Sequence, residues 1–174
     1  MKSLNLLAVS ALATLTLVSG LISAKSASAQ PAGFDGSYVG AGVSAGATSG
    51  GQGNDPAAFG GNIQGRFAIP QSPVSVRGAV LWTDQTSAIM PMLSYDVPVS
   101  NNANVYVGGG YSFVESPGKN TPLGNRNSVV LTVGAEAEVV KDVVVYGDTK
   151  FGINAYQNSP ASALSFQAGV GYRF

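Results

Sequence analysis

The 174-residue chain contains no cysteine and no histidine. Without cysteine it cannot be braced by disulfides, and it offers neither a thiol nucleophile nor a thiolate ligand. Without histidine it lacks the commonest general base and the commonest metal ligand. Charge is also scarce. Asp, Glu, Lys and Arg make up 10% of the residues, so there is no basic stripe to neutralise a nucleic-acid backbone. Beyond the amino-terminal stretch, no segment carries a 3.6-residue apolar period long enough for a helix. What remains is a chain of glycine-punctuated apolar alternation, which reads as strands and turns throughout.

The amino terminus carries an address. Lys2 supplies a short positive start, Leu4 to Ile22 an apolar stretch, and Ala27-Ser28-Ala29 small residues around a cleavage point. That order is a secretory signal peptide cut before Gln30. Asn5, Ser10, Thr14, Thr16 and Ser19 dilute the run below what a retained membrane helix needs. Residues 1–29 are therefore expected to be a cleaved signal peptide directing Sec-dependent export, and residues 30–174 one domain. With Lys2 and Lys25 in the leader, seven basic residues face nine acidic ones in the remainder, a net charge of −2.

Eight alternating runs follow, separated by Gly, Pro, Asn and Ser clusters. They are expected at about Ser37–Gly46, Ala58–Ile69, Val74–Trp82, Ser87–Val97, Asn104–Phe113, Ser128–Val139, Val143–Ile153 and a last run ending at Phe174. Each is near the length a tilted strand needs to cross a hydrocarbon layer. An even number lets a meander return to its starting side and close without an unpaired edge. The connections after the second, fourth and sixth runs are short. Those after the first, fifth and seventh are longer, with only Thr83–Thr86 breaking the pattern, so the short turns and both termini are expected on the periplasmic side.

The charges supply the internal test. In the second run Phe59, Ile63, Phe67 and Ile69 share a phase and leave Asn62, Gln64 and Arg66 opposite; in the third, Val74, Val76, Val80 and Trp82 leave Arg77. The same separation sets Asp96 apart from Ile89, Leu93, Tyr95 and Val97, and Glu136 and Glu138 apart from Val129, Leu131, Val133 and Val139. Asp148 and Lys150 oppose Val143, Val145, Phe151 and Ile153, and Arg173 opposes Tyr172 and Val170. A Lys or Arg facing mid-bilayer costs about 2–4 kcal/mol, so an outer phase free of charge is what lipid exposure requires. Phase alone does not say which face is inside, and a soluble ligand carrier with an aliphatic lumen has the same alternation. The low charge, the glycine-rich face opposite the aliphatic one and the aromatic carboxyl terminus favour the membrane. Phe59, Trp82, Tyr111 and Phe113 at one set of strand ends, and Phe67, Tyr95, Tyr172 and Phe174 at the other, are expected as two interfacial girdles. Tyr38 fits neither girdle, and the phase of the first strand stays open.

Catalytic readings fall away for want of partners. Gly42-Val43-Ser44-Ala45-Gly46 satisfies the Gly-x-Ser-x-Gly elbow, but with no histidine in the chain the usual triad cannot be built. Gly40-x-Gly42 is followed by no helix to receive a pyrophosphate. Glu136 and Glu138 share a strand face as paired carboxylates would, yet in a ring of eight they lie across from Arg66 and Arg77. A hairpin pairing Ile69 with Val74 makes those arginines direct neighbours, and two adjacent cations need carboxylates close by. The expectation is a lumen ion-pair network of Arg66, Arg77, Glu136 and Glu138, extended by Asp96, Asp148, Lys150 and Arg173, plugging a lumen only wide enough for side chains. No catalytic, metal-binding or cofactor-binding residue is expected.

The ending Gln167-x-Gly169-x-x-Tyr172-x-Phe174 resembles the terminal assembly signal of bacterial outer-membrane β-barrels. With Tyr95-Asp96-Val97-Pro98 and Tyr146-Gly147-Asp148-x-Lys150-Phe151-Gly152, the chain from about Gly36 to Phe174 is similar to the small barrels typified by the OmpA membrane domain and OmpX-like proteins. The resemblance implies an all-β, eight-stranded antiparallel up-and-down transmembrane barrel in the outer membrane of a Gram-negative envelope. It implies outer-membrane lipid as surroundings, with the barrel-assembly machinery and periplasmic chaperones as partners in biogenesis. The periplasmic peptidoglycan-binding domain of the OmpA pattern has no counterpart here, so anchoring to the cell wall is not implied. A monomer with a structural or surface-interaction role is expected, not an enzyme, with loops Ala47–Ala57, Val114–Asn127 and Asn154–Ala161 as contact surface. The alternative is a narrow, gated, porin-like channel for ions or small solutes.

Overall fold

A computed structural model of the chain describes residues 33–49 and 58–174. The expected signal peptide and the centre of the first loop, residues 50–57, lie outside the described residues. Eight strands, β1 (Tyr38–Gly46), β2 (Phe59–Ala68), β3 (Val74–Trp82), β4 (Ser87–Ser100), β5 (Ala103–Val114), β6 (Ser128–Val140), β7 (Val143–Ile153) and β8 (Ala163–Arg173), each pair antiparallel with the next. β1 also pairs with β8, Tyr38 opposite Arg173, and this closes the ring. Closure removes every sheet edge, which is what makes a sheet tolerable in hydrocarbon.

β3 and β7 have the expected bounds, whereas β4 runs three residues beyond Val97, to Ser100. The register shifts between Pro98 and Ser100 against β5. Proline can donate no ladder hydrogen bond, so pairing resumes past it through a bulge and the turn tightens to Asn101-Asn102.

The side chains sort by phase. Phe59 is 70% and Phe174 66% exposed, and Ile63, Leu93, Val129, Leu131, Phe166 and Val170 stand out with them. Arg77 and Lys150 are 1% and 0% exposed. The aliphatic face is therefore outside and the charged face inside, the reverse of what a soluble carrier needs. On β1, Tyr38 and Gly40 turn inward and Val39, Ala41 and Val43 outward, which fixes the phase that composition left open. The expected girdle aromatics all reach the outer surface. Phe67 and Phe174 meet edge to face at 6.1 Å, and Tyr111 and Phe113 lie 4.9 Å apart. The Trp82 indole covers Gly61, where a Cβ would come within 2.2 Å of it.

The turns at 69–73, 101–102 and 141–142 share one end of the barrel with both ends of the described chain, where the Phe174 N–H donates to the Ser37 carbonyl at 3.1 Å. At the other end, residues 115–127 and 154–162 fold over the mouth. Asn125 N–H donates to the Ala155 carbonyl, and the Tyr156 hydroxyl to the Thr48 carbonyl at 2.7 Å. Leu123, Ala155 and Tyr156 descend onto Leu81, Met90, Met92 and Val130 to form one apolar cluster. Charge alone was expected to fill the lumen. Toward the loop end, apolar side chains brought down by the folded loops share it with the buried hydroxyls of Ser112, Ser128 and Thr132.

Candidate functional site

The turn-end half of the lumen is built from one register choice. Arg66 on β2 lies directly opposite Arg77 on β3, the pairing that a Val74–Ile69 hairpin demands. Two buried guanidiniums side by side are stable only if carboxylates reach both. Asp96 from β4 and Glu136 from β6 do so. Arg66 Nη2 lies 2.8 Å from Asp96 Oδ2 and Arg66 Nε 3.2 Å from Glu136 Oε1, while Arg77 lies 3.0 Å from Asp96 Oδ1 and 2.9 Å from Glu136 Oε2. Hydroxyls fill the remaining lone pairs. Ser75 donates to Asp96 and Ser94 donates to its other oxygen at 2.9 Å, while the Tyr38 hydroxyl donates to Glu136 at 3.0 Å. Charge-assisted bonds of this kind are the strong ones, and their number here fixes each carboxylate in one orientation.

Asp148 and Lys150, both from β7, form a second pair at 2.6 Å. It meets the quartet only through neutral side chains. The Tyr106 hydroxyl donates to Asp148 Oδ2 at 2.9 Å while its ring lies 3.6 Å beneath the Arg77 guanidinium, and Lys150 Nζ donates to Gln64, whose amide reaches the hydroxyls of Tyr38 and Tyr106. Glu138 and Arg173 stand apart. They pair at 2.6 Å at the rim, with the Arg173 side chain 36% exposed. The eight residues read from the sequence as one network are thus a quartet, a pair and a rim pair. Glu138 lies two residues nearer the rim than Glu136, and its carboxylate accepts the Asp142 N–H at 2.8 Å.

Tyrosines need room, and glycines directly opposite them on the neighbouring strand provide it. A Cβ on Gly134 would come within 2.6 Å of the Tyr106 ring and one on Gly169 within 2.3 Å of the Tyr146 hydroxyl. Tyr146 stacks on Tyr38 at 5.9 Å and donates to Asn62 at 2.6 Å. Of the residues resembling an assembly signal, Gln167 is buried in the lumen, Gly169 faces Tyr146, and Tyr172 and Phe174 stand on the lipid face. Ser75, Ser94, Asn104 and Tyr106 did not enter the sequence reading, although Ser75 shares the inward phase of Arg77 on β3 and Ser94 that of Asp96 on β4, while Asn104 and Tyr106 share one phase on β5. Following polarity as well as charge along that phase would have found them. Phe34, buried against Arg66, precedes β1 and carries no periodic signal.

The chemistry open to this arrangement is narrow. Ser44 is buried and donates to the Gly61 carbonyl at 3.1 Å, so the Gly-x-Ser-x-Gly match is a strand segment. Among the described residues, no group of three or more Asp or Glu could hold a metal ion. At the turn end a cleft of about 290 Å³ opens beside Phe34, Arg66, Asp96, Asn104 and Pro98.

A family model described as the outer membrane protein beta-barrel domain matches residues 13–174. No curated protein matches the sequence significantly. The fold is similar to that of Neisserial surface protein A, with TM-score 0.54, 19% identity, and 79% of this chain and 97% of that chain covered. A de novo designed transmembrane β-barrel aligns with TM-score 0.53 and 13% identity over 84% and 100% of the two chains. Ail, the attachment invasion locus protein of Yersinia pestis, aligns with TM-score 0.49 and 14% identity over 81% and 99%. At these identities the structural likenesses speak of fold alone, whereas the family match spans most of the sequence, and the chain belongs to the outer membrane protein beta-barrel domain family.

Proposed function

We propose that this outer-membrane barrel is a closed structural and surface-interaction protein that performs no chemistry and reaches its site by Sec-dependent export. The observation that carries the reading is the filling of the lumen at two levels. The ionic quartet occupies the turn-end half, the Asp148–Lys150 pair the middle, and the apolar cluster under Leu123 and Tyr156 lies toward the loop end. An ion entering from either side meets either fully paired charges or the apolar cluster. What is left to meet a partner is the loop end, where Glu115, Ser116, Lys119 and Arg126 are exposed.

The test is planar-bilayer recording of the refolded mature protein. A baseline without steady steps is the expected result. Steady single-channel steps that change when Arg66→Ala is introduced would overturn it in favour of a narrow, gated channel. One observation favours that second reading. Buried oxygens of Ser112, Ser128, Thr132 and Gln167 have no protein hydrogen-bond partner, so the lumen wall offers polar points that water can use.

A further inference from the structure

The segment before β1 does not extend its ladder. It crosses the turn-end mouth, and its backbone is held as though by a neighbouring strand. The Asn104 carboxamide accepts the Phe34 N–H at 3.0 Å and donates to the Phe34 carbonyl at 2.7 Å. Arg66 Nη1 donates to the carbonyls of Phe34 and Gly36 at 3.1 and 2.7 Å. The Phe34 ring, buried, sits 5.3 Å from the Arg66 guanidinium, 5.4 Å from that of Arg173 and 6.1 Å from Tyr38. Glycines flank it, the first held by its backbone angle and the second beside the Arg173 side chain. Gly33 has φ +77°, and a Cβ there would come within 2.6 Å of Asn104 Oδ1; a Cβ on Gly36 would lie 2.4 Å from Arg173 Nε.

Two consequences follow from where these partners lie. Arg66 commits Nε and Nη2 to Ser75 and Asp96, so the segment takes the remaining donor nitrogen and completes the guanidinium's hydrogen bonding. Phe34 and Asp35 of the segment wall the cleft onto which Arg66 and Asp96 face, so without the segment that side of the pair loses its cover. The partners also belong to β2, β5 and β8, with Pro98 of β4 beneath Gly33. A segment adjacent to β1 in sequence finds all of them together only in the finished ring, because the loop-closure cost has to be met by strand pairing first.

We propose that residues 33–36 form a strap that seats last, after β1 has met β8, and seals the turn-end mouth over the Arg66–Asp96 pair. The chain has no cysteine, so Ser75→Cys places a single thiol behind the strap. In the refolded mature protein in lipid vesicles, a charged thiosulfonate should label Ser75→Cys slowly, with Ser72→Cys on the exposed turn setting the unprotected rate. Adding Phe34→Ala, or separately Asn104→Ala, should raise the Ser75→Cys rate at least about tenfold, since opening of the strap then governs access. The heat-modifiable gel shift reports whether each barrel is closed. Equal rates in closed barrels overturn the seal. Order is read in the strap-intact protein during refolding. Protection of Ser75→Cys should lag behind the gel shift, and protection that arrives with it or before it overturns the seating order.

Discussion

Arg66, Arg77, Asp96 and Glu136 fill the turn-end half of the lumen, with the Asp148–Lys150 pair at its middle, while Leu81, Met90, Met92, Val130 and Leu123 gather toward the loop end. Both solve the same problem of occupying a ring too narrow to be left open. They differ in what fixes the solution. In the charged half, each side chain is specified by its partners, and any one loss leaves a buried charge uncompensated. In the apolar half, volume is what matters, and a neighbour of similar size serves. One barrel therefore combines an intolerant interior with a forgiving one, a few residues apart along the same strands.

Substitutions in the two halves test that contrast. The largest effect is expected for Glu136→Ala, which leaves Arg66 and Arg77 sharing one carboxylate and should cost about 3–5 kcal/mol in denaturant unfolding from lipid vesicles. Glu136→Gln keeps the shape and removes only the charge, and it should retain most of that loss. Leu81→Ala should cost about 3 kcal/mol by the same measurement, through a cavity beneath Leu123. Leu81→Met, a swap of similar volume, should cost less than about 1.5 kcal/mol. The contrast breaks if Glu136→Gln is tolerated as well as Leu81→Met. Smallest of all is Arg173→Ala, whose partner Glu138 is at the water-accessible rim, and its unfolding midpoint should coincide with wild type.

Lipid made the strand phases legible. It forbids charge on the outer face, so Arg66, Arg77, Asp96 and Asp148 marked the inside strand by strand. The β2–β3 register was legible because the Pro70–Pro73 turn fixes where pairing begins. The grouping of the charges was not, because strand tilt and stagger decide which inward residues share a height, and no single strand records them. Glu136 and Glu138 are two apart on one face and in one unbroken register, yet that single step places Glu138 at the rim, where it pairs with Arg173 instead of joining the quartet. The apolar half was available in principle, since Leu81 shares the phase of Arg77, and Met90 and Met92 that of Asp96. A reading that tracked charge passed over them. β1 gave no phase because glycine and alanine on both faces carry little polarity contrast. Phe34 gave no signal at all, since its burial depends on Asn104, Arg66 and Arg173 arriving from elsewhere in the chain.

The chain's one tryptophan has a use beyond the girdle it belongs to. Trp82 stands on the outer face at the loop end, the end that crosses the whole bilayer when strands enter from the periplasmic side. Its indole leads the β3–β4 hairpin and passes from water into lipid as that hairpin enters. A blue shift in its emission therefore clocks entry of the far end without any label. With a thiol at position 75 clocking the near end, the two ends of one insertion event can be timed in the same molecule.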